Sequence, residues 1–193
     1  LFALVVLSSF ALAADPGLVY PPTSEASDQK AGSLLVYNVY TSGATSGTTQ
    51  NTRINITNTS TSSGVAVHFF FVSDGCSIAD SFICLTATQT ATFLASDVDP
   101  GVTGYIVALA TDGDGLPTVH NFLIGDEYVK YTTGHSANLG AIAFAKLTDT
   151  NVVSTDGSLA QLFFDGLLLA GSYNRTARVL ADDNVPSRAD GND

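Results

Sequence analysis

From residue 33 onward the sequence is a series of short apolar or alternating segments separated by turns rich in Gly, Asp and Ser. In TRINITN, Ile54 and Ile56 fall on one face and polar side chains on the other, a period typical of a half-buried strand. The predicted strands are residues 33–41, 52–58, 64–72, 85–94, 103–111, 118–125 and 127–133, followed by a hairpin over 159–173 around Asp165-Gly166. This spacing predicts an all-β fold, an antiparallel β-sandwich of the immunoglobulin-like or jelly-roll-like kind.

One segment of the sandwich departs from the strand pattern. In SANLGAIAFAKL, residues 136–147, the side chains of Leu139, Ile142 and Leu147 recur near helical spacing, and Ser136 is placed to cap a first turn. We therefore predict one short helix here, covering an open end of the sandwich.

The first fourteen residues, LFALVVLSSFALAA, form an apolar run that ends in an A-x-A pattern. This is the hydrophobic region and cleavage site of a secretory signal, and it is too short to span a bilayer. The sequence therefore predicts a secreted, extracellular protein without a stable membrane span. Residues 15–31 contain Pro16, Pro21 and Pro22 and predict an extended linker, which places the folded domain at residues 32–193.

Two interpretations of the apolar segment remain open. It is either a signal peptide that is removed, or a retained assembly element that neighbouring subunits bury, as in pilin-like proteins. No Lys or Arg precedes the apolar run and the chain contains no Met, which fits a signal sequence shortened at its start as well as a chain cleaved before Leu1 that keeps the segment. The side chains that would mediate assembly, as a strand or as a helix, are Leu1, Phe2, Leu4, Val5, Val6, Leu7, Phe10 and Leu12.

The charge balance excludes one class of partner. The chain has 18 acidic and 7 basic residues, a formal net charge of -11, and lacks any basic cluster. An acidic surface repels nucleic acid, so we expect no nucleic-acid partner.

Cys76 and Cys84 are the two cysteines of the chain, in CSIADSFIC. Their spacing does not fit a C-x-x-C redox motif, and no Cys/His cluster supplies a set of zinc ligands. In an exported protein we expect an intrachain disulfide that closes a short hairpin-like loop. The alternative is a pair of buried thiols.

Motifs for catalysis are missing from the sequence. There is no G-x-S-x-G, H-E-x-x-H or phosphate-binding glycine loop, and His68, His120 and His135 are far apart along the chain. We therefore expect that the protein is not an enzyme.

Loop carboxylates suggest a structural calcium ion, the one cofactor that the sequence indicates. Asp112 and Asp114 stand beside glycines with the spacing of the start of a calcium loop, although calcium needs six to eight oxygen ligands. The alternative is that these Asp-Gly pairs are ordinary turns.

Three N-x-[ST] acceptor patterns begin at Asn55, Asn58 and Asn174, and Ser/Thr-rich loops span 42–49 and 57–63. The sequence does not decide whether any of these sites is glycosylated. Thr86, Thr88, Thr90 and Thr92 are predicted to line one solvated face of a strand.

Several longer stretches resemble uncharacterised secreted proteins of environmental bacteria. They are NTRINITNT, VHFFFVSDGCSIADSFICLT, QTATFLASDVDPGVTGYIVA, NFLIGDEYVK, TGHSANLGA and the tail RVLADDNVPSRADGND. The resemblance covers most of the folded domain and implies an exported β-rich domain. It supplies no activity, ligand or catalytic residue.

Two functional hypotheses follow. The first is a structural subunit of an extracellular filament or matrix fibre, a homopolymer in which the apolar segment of one copy inserts into its neighbour. The second is a monomeric secreted adhesion module that binds carbohydrate or a surface through its loops and exposed tyrosines.

Overall fold

The computed structural model describes residues 25–43 and 50–176. The segment 1–14, most of the predicted linker and the tail from residue 177 lie outside the described residues. Eleven strands are described: β1 Leu34–Thr41, β2 Asn51–Asn58, β3 Val65–Ser73, β4 Ile78–Leu85, β5 Thr90–Leu94, β6 Thr103–Thr111, β7 Leu123–Lys130, β8 Ser136–Gly140, β9 Ile142–Phe144, β10 Val152–Val153 and β11 Ala160–Gln161. A short 3-10 turn, Ala95–Asp97, follows β5.

Nine of these strands form two packed antiparallel sheets, which confirms the predicted all-β sandwich. The order is β4-β3-β6-β1-β9 in the five-stranded sheet and β5-β2-β7-β8 in the four-stranded sheet. The short strands β10 and β11 pair only with each other within the described chain. No helix in the described ranges is long and apolar enough to cross a membrane.

The main core lies between the two sheets and is rich in aromatic side chains. Alternation along β3 turns Val67, Phe69 and Phe71 inward, and all three are fully buried. The Phe69 and Phe93 rings meet edge to face with centroids 5.2 Å apart, as do Tyr40 and Phe71. Such edge contacts stabilise a core beyond the apolar area that they bury.

A second apolar cluster lies on the outer side of the five-stranded sheet. It contains Leu34, Leu109 and Phe144 from the sheet and Tyr173 from the end of the described chain. We call residues 147–176, which supply this second layer, the covering segment. The five-stranded sheet is therefore buried on both faces near β1 and β9.

The predicted helix at residues 136–147 is wrong. Ser136–Gly140 pairs with β7 in one sheet, and Ile142–Phe144 then pairs with β1 in the other. The chain crosses between the sheets at Ala141, so this run is buried on more than one side. A continuous apolar run is typical of such a position, and its helical spacing is incidental.

Other predicted strand boundaries also change. Residues 118–125 and 127–133 were expected to form two strands, but the single strand β7 spans Leu123–Lys130. The predicted strand 85–94 is instead the end of β4, a turn and β5. Thr86 and Thr88 therefore do not extend the strand face that carries Thr90 and Thr92.

The hairpin predicted around Asp165-Gly166 is also wrong. Gly166 has the positive φ of 71° that a turn requires, but the flanking residues do not form an antiparallel ladder. Phe163 instead makes an isolated parallel bridge with Ser172. Turn chemistry marked the reversal correctly, whereas the apolar residues around it pack over the sheet.

Part of the predicted linker belongs to the folded domain. Ser27 makes an antiparallel bridge with Ala143 at the β9 edge, and Gly32 makes one with Leu123. Ala26 and Ala31 are buried. The domain therefore includes residues 25–31.

The approach of β6 to β3 requires glycine at one position. A Cβ placed on Gly104 would lie 2.0 Å from the carbonyl oxygen of Val72. We expect Gly104→Ala to lower the free energy of unfolding by about 3 kcal/mol, since neighbouring backbone would have to move. The measurement is urea denaturation at constant pH. Gly113→Ala is the matched control, because no atom lies within 4 Å of the place its Cβ would occupy and the change should be near neutral; equal losses in both variants would contradict the prediction.

Candidate functional site

The outer face of the five-stranded sheet is apolar and partly uncovered. Register places the even-numbered residues of β3 and β4 on this side, in line with residues 105 and 107 of β6. Ile78, Phe82 and Tyr105 are 60%, 56% and 45% exposed. We call this surface the apolar face and define it by His68, Phe70, Ile78, Phe82, Tyr105 and Val107.

Three rings stack at the centre of the apolar face. The His68 ring lies 3.7 Å from that of Phe82, nearly parallel to it, and 3.9 Å from that of Phe70. The Nε2 atom of His68 lies 3.1 Å from a carboxylate oxygen of Asp80. The stack presents a broad, flat surface beside a single exposed carboxylate.

The covering segment extends the apolar face. Phe164 contacts the rings of Phe144 and Tyr173, with centroids 4.9 and 5.6 Å away, and this anchors the segment over β9. Four of its leucines stay exposed: Leu159 by 69%, Leu167 by 51%, Leu168 by 60% and Leu169 by 58%. Soluble monomers rarely leave so many large apolar groups together in water, which points to a contact surface.

A groove joins the sheet and the covering segment. It has a volume of about 410 Å³ and lies between His68 and Phe70 on the sheet and Leu159 and Leu162 on the segment. Asp114 lies at its margin. The groove makes the apolar face concave, as a surface that receives an apolar chain requires.

The outer face of the four-stranded sheet is polar instead. Asn55 donates from Nδ2 to a carboxylate oxygen of Asp126 at 2.7 Å and accepts from the Thr92 hydroxyl at 2.8 Å. The Arg53 guanidinium lies over the Tyr128 ring, 5.5 Å from its centroid. We call this surface the polar face and define it by Arg53, Asn55, Thr57, Thr92, Asp126 and Tyr128.

A second cavity, of about 400 Å³, opens at one end of the polar face. Asp28 and Lys30 form one wall, and Thr57 and Asp126 form the other. Carboxylate, ammonium and hydroxyl groups thus converge on a space that would hold a small polar molecule.

The intrachain disulfide predicted between Cys76 and Cys84 is wrong: both cysteines are free and exposed. Cys76 lies in the β3–β4 turn and Cys84 near the far end of β4. From Ile78 to Cys84 the strand rises by about 20 Å, whereas a disulfide needs Cα atoms within about 7 Å. The segment between the cysteines is one extended strand, so it cannot fold back into a loop.

Asp112 forms a turn in the structure. Its Oδ1 accepts hydrogen bonds from the backbone N–H groups of Asp114 and Leu116, at 3.0 and 2.9 Å. Within residues 25–43 and 50–176, no three or more His, Cys, Asp and Glu side chains gather to hold a metal ion. Calcium binding by Asp112 and Asp114 stays a prediction.

The three glycosylation patterns have buried or bonded asparagines. Asn58 and Asn174 are 0% and 2% exposed, and Asn174 accepts a hydrogen bond from the Ala145 N–H. The side chain of Asn55 is bonded at both ends within the polar face. These side-chain amides are therefore hidden or engaged in the folded domain.

The three histidines lie apart, as their spacing predicted. His68 is on the apolar face, His120 is buried at one end of the sandwich, and His135 lies between β7 and β8. Nε2 of His120 donates to the side-chain oxygen of Asn58 at 2.9 Å. The Asn58 amide nitrogen in turn donates to the carbonyls of Ser63 and Thr86, which fixes the orientation of the pair.

Neither outer face was predicted as a site from the sequence. The alternation of Ile78, Asp80 and Phe82 signals a strand with an exposed apolar side, but the two flanking cysteines suggested a loop. For the polar face a signal exists, since the alternation of β2 places Arg53 and Asn55 together on one side. The assembly residues within 1–14 lie outside the described residues.

Comparisons with known proteins identify no family for this chain. No protein-family model matches the chain, and no curated protein does. The crystal structure of Thermotoga maritima 1070 is similar with a TM-score of 0.44 and 8% identity, covering 62% of this chain and 98% of that one.

Burial of His120 predicts a pH-dependent stability. Burial lowers the pKa of its imidazole below the value of about 6.5 that the unfolded chain has. The contribution of neutral His120 is therefore complete above that pH and is lost as the pH falls through the lower folded pKa. We expect the melting temperature to fall more between about pH 7.5 and pH 5 for the wild type than for His120→Gln. Parallel slopes for the two proteins in differential scanning calorimetry would contradict this assignment.

Proposed function

We propose that the protein is a structural subunit of an extracellular filament, in which residues 1–14 of one copy dock on the apolar face of the next. The observation that carries the proposal is the exposure of Ile78, Phe82 and Tyr105 beside the exposed leucines of the covering segment. Burying each such side chain contributes about 1.5–3 kcal/mol before the cost of ordering is subtracted. Several side chains together are enough to hold neighbouring subunits.

Charge favours residues 1–14 over the rest of the chain as the segment that docks on the apolar face. The protein carries a formal net charge of -11, so two copies repel each other at long range. Residues 1–14 contain no charged side chain. This segment can therefore approach the apolar face without adding a charge to the contact.

The start of the described chain lies beside the same sheet. Ala26 belongs to the apolar cluster under the covering segment, and Glu25 makes a bridge with Arg175. Residues 15–24 span at most about 35 Å when fully extended, enough to carry the apolar segment to an adjacent subunit. A contact between different surfaces of successive copies generates an open fibre when the rotation between copies does not close a ring.

The filament is tested by deleting Leu1–Ala13 behind a heterologous signal peptide and examining the secreted protein by electron microscopy. We expect fibres from the full chain and single subunits from the deletion. Val6→Asp, which charges the segment, and Ile78→Asp, which charges the apolar face, should each act like the deletion.

Ile124→Asp is the matched control for Ile78→Asp. Ile124 is 42% exposed but lies on the four-stranded sheet, so its variant should still form fibres. Fibres that persist without residues 1–13, or equal loss in the Ile124 and Ile78 variants, would rule out the proposed contact.

A second function, a secreted carbohydrate-binding adhesion module, is favoured by the polar face. An exposed tyrosine beside Arg, Asn and Asp side chains supplies both a ring for stacking and a set of hydrogen-bond donors and acceptors. Tyr128 is 36% exposed and is held by Arg53 from one side. The adjoining cavity would accept one sugar unit.

The adhesion function is tested by binding to a panel of immobilised polysaccharides. Tyr128→Ala should weaken binding at least about tenfold, which corresponds to the loss of ~1.4 kcal/mol of stacking. Tyr105→Ala, a matched exposed tyrosine on the apolar face, should bind like the wild type. Equal affinity of the two variants for every polysaccharide would contradict a glycan site on the polar face.

A further inference from the structure

Strand β4 is an edge of the five-stranded sheet and pairs, among the described strands, only with β3. The Ser77 carbonyl accepts a hydrogen bond from the Ser73 N–H as the hairpin closes. Backbone groups of successive residues in a strand point to opposite sides, so odd-numbered residues face β3 and even-numbered residues face outward. Residues 78, 80, 82 and 84 thus present N–H and C=O groups at the free edge.

The side chains of this edge form a pattern that is symmetric about Asp80. Ile78 and Phe82 stand two residues to either side, and Cys76 and Cys84 stand four residues to either side. A twofold contact requires a surface that complements itself. Antiparallel pairing of β4 with a second β4 about Asp80 would place each Ile78 opposite Phe82 of the other copy. It would also bring each Cys76, in the turn two residues before the strand, towards Cys84 of the other copy.

We propose that two copies of the protein pair along β4 in this register, and that two disulfides, each from Cys76 of one copy to Cys84 of the other, lock the pair. This proposal goes beyond the filament and does not depend on residues 1–14. The occupant of the edge is a second copy, because pairing about Asp80 sets an apolar side chain opposite an apolar side chain and brings a cysteine towards a cysteine on both sides of the axis.

The extended strand between Cys76 and Cys84 prevents a disulfide within one copy. A disulfide between copies requires Cys76 of one copy to lie beside Cys84 of the other. Directly opposite residues in an antiparallel pair have Cα atoms about 4.5–5.5 Å apart, and this spacing applies to Ile78 and Phe82. Cys76 lies two residues before β4, so a bridge needs the turn to place it beside Cys84 of the other copy. Cys84 is exposed on the strand and Cys76 in the turn, so both thiols are accessible. Cys76 also has a φ of 56°, a left-handed conformation more often found at glycine.

The twofold axis of the proposed pair would bring two carboxylates together. The Asp80 side chains of the two copies would face each other, and like charges directly opposite destabilise a pair of strands. Each Asp80 already has Nε2 of its own His68 3.1 Å away, so its carboxylate has a hydrogen-bond partner within its own copy. The disulfides would then stabilise a contact that backbone pairing of the two β4 strands stabilises only weakly.

The chemistry requires an oxidant. Each bridge forms when two thiols lose two protons and two electrons to a disulfide compound such as oxidised glutathione, which is reduced to two thiols. Two bridges therefore consume two molecules of that compound and join the copies through two S–S bonds.

The test uses the full-length protein incubated with oxidised glutathione and analysed on non-reducing denaturing gels. Denaturant dissolves filament contacts and leaves disulfides, so this result is independent of fibre formation. We expect a dimer from the wild type that reductant converts to monomer. Cys76→Ser alone and Cys84→Ser alone should stay monomeric, because each lacks one half of every bridge.

The decisive sample is an equimolar mixture of the two single-cysteine variants. It should dimerise, since Cys84 of one variant meets Cys76 of the other and one bridge remains. A monomeric wild type, single variants that dimerise as readily as the wild type, or a mixture that dimerises no more than its components would each overturn the proposal.

Discussion

Two buried tyrosines of β1 determine how the sheets are held against each other. The Tyr37 hydroxyl crosses the core and donates to the Asn55 carbonyl of the opposite sheet at 2.9 Å. Tyr40 donates to the carboxylate of Asp99 in the loop before β6. Both rings are completely buried, and burial raises the pKa of both hydroxyls well above the ordinary value. A Cβ on Gly125 would lie 2.2 Å from the Tyr37 hydroxyl, so glycine at that position makes room for the contact.

The tyrosine contacts explain why the two outer faces can differ so much. Since the inner side chains determine the distance between the sheets, the outer side chains of β2 and β3 need not contribute to the same core. One sheet is therefore free to carry a polar network, and the other a set of exposed apolar rings. The covering segment buries the apolar sheet only near β1 and β9 and leaves the β3 and β4 side open.

The sequence predicted the fold class because alternation and turn residues act locally. Ile54 and Ile56 on β2, and the apolar run of β6, were recognised because each pattern reflects burial within a single strand. Prediction failed where burial depends on distant partners. Residues 136–147 cross between two sheets, and neither β7 nor β1 can be inferred from that segment alone.

The same limit applies to the candidate sites. Exposure of Phe82 depends on the covering segment, which lies about 80 residues away in the chain and stops short of β4. The bonds of Asn55 come from β5 and β7, so its functional neighbours could not be identified from β2. For Cys76 and Cys84 the error is the opposite one. Their closeness in sequence implied a contact, but the extended strand between them prevents it.

The burial of Asn58 has a consequence for how the chain matures. Its amide is bonded to His120 and to the carbonyls of Ser63 and Thr86, and it has no exposed surface. An oligosaccharide attached there would be incompatible with the native packing, and folding and N-glycosylation therefore compete for the same side chain. In a secretory pathway that modifies chains during translocation, the competition is decided by whether the end of β2 folds before the glycosylating enzyme reaches it. In a host without that enzyme the Asn58 side chain would meet no such competition and would remain available for its native hydrogen bonds.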